Sequence, residues 1–254
     1  MSQFQRQPMS GRTAFVTGAA QGLGLAIAQG LAAAGAQVML ADIHGAAAEH
    51  GAVALREQGL CAQAVTLDVR DEAAFAAAFE RTVARFGPVD LMVNNAARSS
   101  GASLWDITAA EWDEVLAVNL RGCFFGCRIA GRHMRGRRAG RIVNLSSIAG
   151  QQASAASAAH YAASKAGIGA LTRSFAAELA PQGVCVNAIA PSAINSPALQ
   201  AMPEAPRRAL LQATPLGRFG TGDEVAAAVL YLASDAAGYI TGTTLDLNGG
   251  RLMR

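Results

Sequence analysis

An apolar run at 13–17 (TAFVT) is followed at once by a glycine-rich segment, Gly18-Ala-Ala-Gln21-Gly22-Leu23-Gly24. Residues 25–34 then read as a helix that stops at Gly35, and 37–42 (QVMLAD) as a second apolar run ending in Asp42. Short apolar runs bounded by turn residues read as buried strands, so this is a strand, glycine turn, helix, strand unit. Such a βαβ unit sets two parallel strands in one sheet and lays the helix across it.

The alternation continues along the chain. Residues 45–58 read as a helix, 61–67 as a strand, 71–86 as a helix stopped by Gly87-Pro88, and 89–93 as a strand. A loop of small polar residues (98–109) leads to a helix over about 110–135, then a strand at 140–147. A helix over about 158–180 and a strand at 184–190, halted by Pro191, come next. Residues 192–214 are rich in proline and the least regular; a helix at 222–234 and a strand at 243–247 close the chain. Repeated β–α alternation with short connections predicts a single-domain Rossmann-type fold, a doubly wound parallel sheet with helices on both faces. A barrel of eight β/α units is the alternative, and the glycine turn after the first strand argues against it. No linker or composition break appears, so 11–254 is read as one domain and 1–10 as a loose polar tail.

Glycine between a strand and a helix permits φ > 0 and lets backbone approach a ligand closely. The helix start then offers free N–H groups and a positive dipole end to a pyrophosphate. The spacing here is G-x-x-x-G-x-G rather than the dinucleotide fingerprint G-x-G-x-x-G. Asp42, at the end of the second strand, stands where an acid reaches the adenosine ribose hydroxyls. A carboxylate about 4 Å from a 2′-phosphate is repelled by about 4 kcal/mol per charge pair at an effective dielectric near 20. Neither Ile43 and His44, which follow, nor Gln21 in the turn offers a fixed cation to offset it. The expectation is NAD(H) in preference to NADP(H).

Tyr161 and Lys165 are four residues apart in a predicted helix, which places them on one face, one turn apart. A neighbouring ammonium favours the phenolate and lowers a phenol from its usual value of about 10. The pair is thus a candidate general acid/base. The same spacing arises by chance on many amphipathic helices, so it needs support from the rest of the chain.

Net charge is +3 with no lysine-rich run, which argues against a nucleic-acid partner. The four cysteines show no zinc spacing and call for no disulfide, which fits a reducing cytoplasm. Residues 1–10 lack the apolar core of a secretory signal, and no apolar run is long enough for a membrane span. No His, Cys or acidic cluster suggests a metal.

Thr17-Gly18-Ala-Ala-Gln-Gly22-Leu-Gly24, Asp68, Asn94-Asn95-Ala96-Ala97, Asn119, Ser147, Tyr161-x-x-x-Lys165 and Pro191 together resemble the classical short-chain dehydrogenase/reductases, over about 11–250. The resemblance implies an oxidoreductase that interconverts a secondary alcohol and a ketone by hydride transfer. Tyr161 would be the acid/base and Lys165 would tune it and bind the nicotinamide ribose. Ser147, rather than its neighbour Ser146, would hold the substrate oxygen, and Asn119 would help hold a relay water. The cofactor would lie along Gly18, Gln21, Gly22, Leu23, Gly24, Asp42 and Ile43, with Asp68 and Val69 at the adenine. Asn95, Ala96 and Ala97 would line it further on, and Pro191, Ile194 and Ser196 would cover the nicotinamide. Three positions depart from the family pattern: Ala97 for glycine, Ser192 for glycine after Pro191, and Ser196 for threonine. The family also implies a homotetramer built through the two long helices and the last strand.

Other readings differ in what they demand. Arg132, Arg135, Arg137, Arg138 and Arg141 suit a dock for an acidic acyl carrier protein, as in the family's ketoacyl reductases, although those mostly use NADPH. Cations at a helix end in solvent explain the same cluster. A non-catalytic NAD sensor would have lost Ser147, Tyr161 or Lys165. An epimerase of the extended branch would carry a longer C-terminal part.

Overall fold

The computed structural model describes residues 9–99, 103–153 and 158–253. Seven strands form one parallel sheet: β1 (Thr13–Thr17), β2 (Gln37–Asp42), β3 (Ala62–Thr66), β4 (Val89–Asn94), β5 (Gly140–Leu145), β6 (Val184–Pro191) and β7 (Thr244–Leu247). Their order is β3-β2-β1-β4-β5-β6-β7, the doubly wound Rossmann arrangement expected. The winding reverses between β1 and β4, and a crevice therefore opens outside the carboxyl ends of those two strands.

Successive side chains of a strand point to opposite faces, and the chain uses both. Ala14 and Val16 join one buried cluster with Ile27 and Leu31 of α1 (Gly22–Ala33), Leu55 of α2 (Gly45–Glu57) and Val229 of α9 (Gly222–Ala233). Phe15 faces the other way, stacked on Phe75 of α3 (Glu72–Phe86) with ring centroids 5.9 Å apart. That second cluster also takes Cys127 and Met134 from α5 (Gly122–Arg137) and Ile168 and Leu179 from α6 (Ala159–Leu179). With both faces covered, β1 is buried from end to end, which is why it reads as an unbroken apolar run.

Four local features differ from expectation. The first helix begins at Gly22, because the glycine segment itself supplies the opening turn. Residues 192–214 contain two short helices, α7 (Pro197–Gln200) and α8 (Glu204–Gln212). Pro206 is tolerated in α8 because it lies in the first turn, where a missing N–H breaks no helical bond. The long helix before β5 is interrupted: α4 (Ala109–Leu116) passes through a π turn at Ala117–Arg121 into α5. Met9, within the expected tail, is fully buried and its N–H donates to the Ala34 carbonyl at 3.1 Å. The rest of that tail lies outside the described residues. No described helix is long and apolar enough to cross a membrane.

Candidate active site

At the crevice, the ends of β1 and β4 are tied to each other. Thr17 Oγ1 accepts the backbone N–H groups of Asn95 (3.0 Å) and Ala96 (3.1 Å). The Asn95 amide in turn donates to the carbonyls of Thr17 (2.9 Å) and Gly18 (3.0 Å). Glycine is obligatory where these loops touch. A Cβ on Gly18, which has φ +64°, would lie 2.7 Å from Ala96 Cα, and one on Gly24 would lie 2.0 Å from the Gly18 carbonyl oxygen. Gly22, at φ +57°, instead has open space beside it. Bare backbone is thus presented at the start of α1, where unpaired N–H groups and the helix dipole suit an anionic phosphate.

A cleft of about 790 Å³ runs over this loop, within the size range of small-molecule sites. Its walls contain Gly18, Gln21, Gly22, Leu23, Gly24, Asp42, Ile43, Asp68, Val69, Asn95, Ala96, Ala97, Ser147, Tyr161, Lys165, Pro191 and Ile194. Asp68 follows β3 and Ser147 follows β5, so the cleft crosses five strand ends, about 19 Å at about 4.8 Å per strand. That length and the glycine cradle fit an extended dinucleotide. Ser196 is not in the walls; its Oγ accepts the Leu199 N–H at 3.2 Å and caps α7. Substrate-contacting side chains are expected largely from 98–104, 148–160 and 192–214, and of these 100–102 and 154–157 lie outside the described residues.

Asp42 is nearly buried, and both its oxygens are engaged. Oδ2 accepts the Ala20 N–H at 3.0 Å and Oδ1 the His44 N–H at 2.9 Å, so the acid pins the glycine turn to the end of β2. Asp68 is likewise held, by the Arg70 guanidinium at 2.6 Å, and this bond keeps its carboxyl below the usual range against the opposing effect of burial. Arg70 also reaches Glu114 on α4 at 2.8 Å. Arg98 and Ser192 line the cleft from segments expected to reach substrate, 98–104 and 192–214, whereas Arg70 lines it without having been predicted there; a lone arginine in a loop gives no periodic or motif signal.

The two serines after β5 separate clearly. Ser146 is buried and donates to the Lys165 carbonyl at 2.9 Å. Ser147 caps the short 3-10 turn Ile148–Gly150 through the Ala149 N–H (3.2 Å) and is hydrogen-bonded to the Tyr161 hydroxyl. A Cβ on Gly150 would lie 2.5 Å from the Lys165 carbonyl carbon, so glycine lets this turn press against α6. Lys165, the only lysine in the chain, is buried; its Nζ donates to the Leu145 carbonyl at 2.6 Å and lies 5.5 Å from the centroid of the Tyr161 ring.

The protonation states differ from expectation. Burial pushes the Tyr161 phenol up, with the Ser147 hydrogen bond as a smaller opposing effect. Burial also pulls Lys165 down to about 8, opposed in part by Cys123. The ammonium is held by a carbonyl and lies by the ring, both groups are buried, and desolvation outweighs the charge effect expected from the spacing.

Asn119 sits in the π turn, behind the cleft wall. Its Oδ1 accepts the Arg98 N–H at 2.7 Å, and its Nδ2 donates to the Arg98 carbonyl (2.9 Å) and to Ser164 Oγ (3.0 Å). The Ser164 hydroxyl donates to the Tyr161 carbonyl at 2.7 Å, so one side chain links the loop after β4 to the helix of Tyr161 and Lys165. The extra residue of a π turn is what turns this amide inward, and such turns often mark functional sites. His160 is buried beside Tyr161, 3.4 Å from the Glu111 carboxylate. Of the arginines near the end of α5, Arg137 pairs with Asp90 at 2.9 Å and Arg138 donates to the Pro181 carbonyl at 3.1 Å.

Residues 18–251 match the family model described as Enoyl-(Acyl carrier protein) reductase. The chain is 39% identical over 244 residues to the 3-oxoacyl-[acyl-carrier-protein] reductase of Escherichia coli (strain K12), covering 96% of this chain and 98% of that one. It is 40% identical over 240 residues to the cis-4-hydroxycyclohexanecarboxylate dehydrogenase of Sinomonas cyclohexanicum, covering 94% and 96%. The crystal structure of a 3-oxoacyl-[acyl-carrier protein] reductase from Brucella melitensis ATCC 23457 superposes with a TM-score of 0.93 at 36% identity, covering 98% of this chain and 94% of that one. These reductases are NADPH-dependent, which overturns the expected preference for NAD(H). An acid at this position has a structural task of its own, pinning the glycine turn through the Ala20 and His44 N–H groups, so its presence alone does not select the cofactor.

Proposed function

The chain belongs to the short-chain dehydrogenase/reductase family, and from that premise we propose that it interconverts a secondary alcohol and a ketone using a nicotinamide dinucleotide. The observation that carries the reading is the meeting of Ser147, Tyr161 and Lys165 on one wall of a cleft whose floor is bare glycine backbone. When bound, the nicotinamide supplies or accepts hydride. The protein supplies position and proton. Gly18, Gly22 and Gly24 take the pyrophosphate against the start of α1, and Asp68 and Val69 border the adenine.

Ser147 holds the substrate oxygen beside the Tyr161 hydroxyl. Tyr161 gives a proton to that oxygen as a ketone is reduced, or removes one as an alcohol is oxidised. A phenol raised by burial keeps its proton at neutral pH, which favours the reducing direction. Lys165, cationic below about pH 8, stabilises negative charge as it develops on the phenol oxygen. Asn119 fixes the wall opposite by holding the Arg98 backbone.

Reduction of a β-ketoacyl thioester on an acyl carrier protein is the second reading, favoured by the named activity of the E. coli relative and by the arginines at the end of α5. A second copy of the chain is proposed for the surface groove of about 1040 Å³ between α4, α5 and α6, whose walls include Leu120, Phe124 and Leu171. The test is steady-state kinetics with NADPH and with NADH over ketones, hydroxy acids, diketones, steroids and β-ketoacyl thioesters. Tyr161→Phe is expected to lower kcat by about 10²- to 10⁴-fold while dinucleotide binding persists. Full activity in that variant would sink the assignment.

A further inference from the structure

The C-terminal residues form a built turn. Asn248 Oδ1 accepts the Gly250 N–H at 2.9 Å, its Nδ2 donates to the Leu252 carbonyl at 3.0 Å, and the Arg251 N–H donates to the Asn248 carbonyl at 3.2 Å. Gly249 and Gly250 sit at φ +61° and +88°, a backbone path that favours glycine. The turn is braced from below, since the Gly249 carbonyl accepts the Leu216 N–H at 3.1 Å. From this base the Arg251 guanidinium donates to Ser192 Oγ at 2.8 Å.

Ser192 is the first residue after β6 and lines the dinucleotide cleft between Pro191 and Ile194. Its N–H donates to the Leu247 carbonyl at 2.9 Å. Farther on, the loop is held through Asn195 N–H to the Gly220 carbonyl (2.8 Å) and Gly220 N–H to the Ala193 carbonyl (3.1 Å). The hydroxyl exists only because this chain has serine where the family pattern has glycine.

We propose that Arg251 is a positioning residue: through the Ser192 hydroxyl it fixes the loop leaving β6 and so retains the bound dinucleotide. This rests on the dinucleotide reading given above. The physical reason is pre-organisation. A loop already ordered before binding loses less freedom when the ligand arrives. A guanidinium suits the task because its planar fork holds direction better than a flexible ammonium.

The test is a double-mutant cycle on the full chain, read as dissociation constants for NADPH and NADH from nicotinamide fluorescence. Arg251→Ala and Ser192→Ala are each expected to weaken binding by about three- to tenfold, the range of a single net hydrogen bond. The double variant is expected to be no weaker than the worse single one, because both remove the same contact. At saturating dinucleotide, kcat should change less than the dissociation constant does. Additive losses, or single variants within about twofold of the parent, would overturn the clamp. A parent that binds neither dinucleotide would overturn the dinucleotide reading itself, which is a different result. Should Arg251→Ala fail to fold, Ser192→Ala carries the test, since it removes one hydroxyl and leaves every backbone bond in place.

Discussion

Replacing Lys165 with methionine should stabilise the dinucleotide-free protein at neutral pH while removing its activity. The ammonium is buried, and its pKa falls from the ordinary 10.5 to about 8. At about 1.4 kcal/mol per pH unit, that interval corresponds to about 3 kcal/mol of burial cost carried by the folded state at pH 7. Loss of the bond to the Leu145 carbonyl takes back about 1 kcal/mol or more, leaving a net gain of about 2 kcal/mol. The sign with pH follows from the lowered value. Between about 8 and 10.5 the unfolded chain binds more protons than the folded one, so the parent gains stability as pH rises through that window. The variant lacks this gain, and most of its margin over the parent, about 2 kcal/mol, should vanish from pH 7 to pH 10. Urea unfolding of both proteins at the two pH values measures the margin, and other titrating groups cancel in the comparison. Because the chain has one lysine, lysine-selective isotope labelling gives a single side-chain NMR signal whose titration reads the pKa directly. A margin independent of pH, or a signal that titrates near 10.5, would refute the reasoning.

Asp42→Ala should lower stability by about 2 kcal/mol, since it strands the N–H groups of Ala20 and His44, and should weaken NADPH and NADH binding alike; a change confined to one dinucleotide would show the acid acting on the ribose instead. Thr17→Val should cost about 1–3 kcal/mol in chemical denaturation by leaving the Asn95 and Ala96 N–H groups without their acceptor, and Thr17→Ser should recover most of it. Ketone reduction at saturating substrate should decline above about pH 8 as Lys165 loses its proton; a rate flat to pH 10 would separate Lys165 from the chemistry.

The fold was legible because its signals are local. β1 reads as TAFVT followed by glycine, and each later strand is an apolar run closed by a turn residue. The α4–α5 interruption was not legible, since a π turn changes hydrogen bonding without changing the pattern of apolar residues. The cleft walls were legible as motifs, and all but Asn119 and Ser196 of the expected residues line them. Electrostatics was not. Spacing placed Lys165 beside Tyr161, but only burial decided that both would shift against ionisation. Asp42 shows a related limit: a sequence shows that an acid is present and says nothing of the two N–H groups that give it a structural task in the turn.

The π turn also sets the phase of the helix that follows it. One extra residue rotates everything beyond by about 100°, and only with that rotation do Cys123, Cys127, Ala130 and Met134 of α5 face the sheet. Deleting one residue from Ala117–Arg121, even one other than Asn119, would leave α4 seated and swing that apolar stripe toward solvent. Single-residue length changes should therefore be rejected within this helix yet accepted in the loop before it, and a library of one-residue deletions across 103–137 would map that boundary.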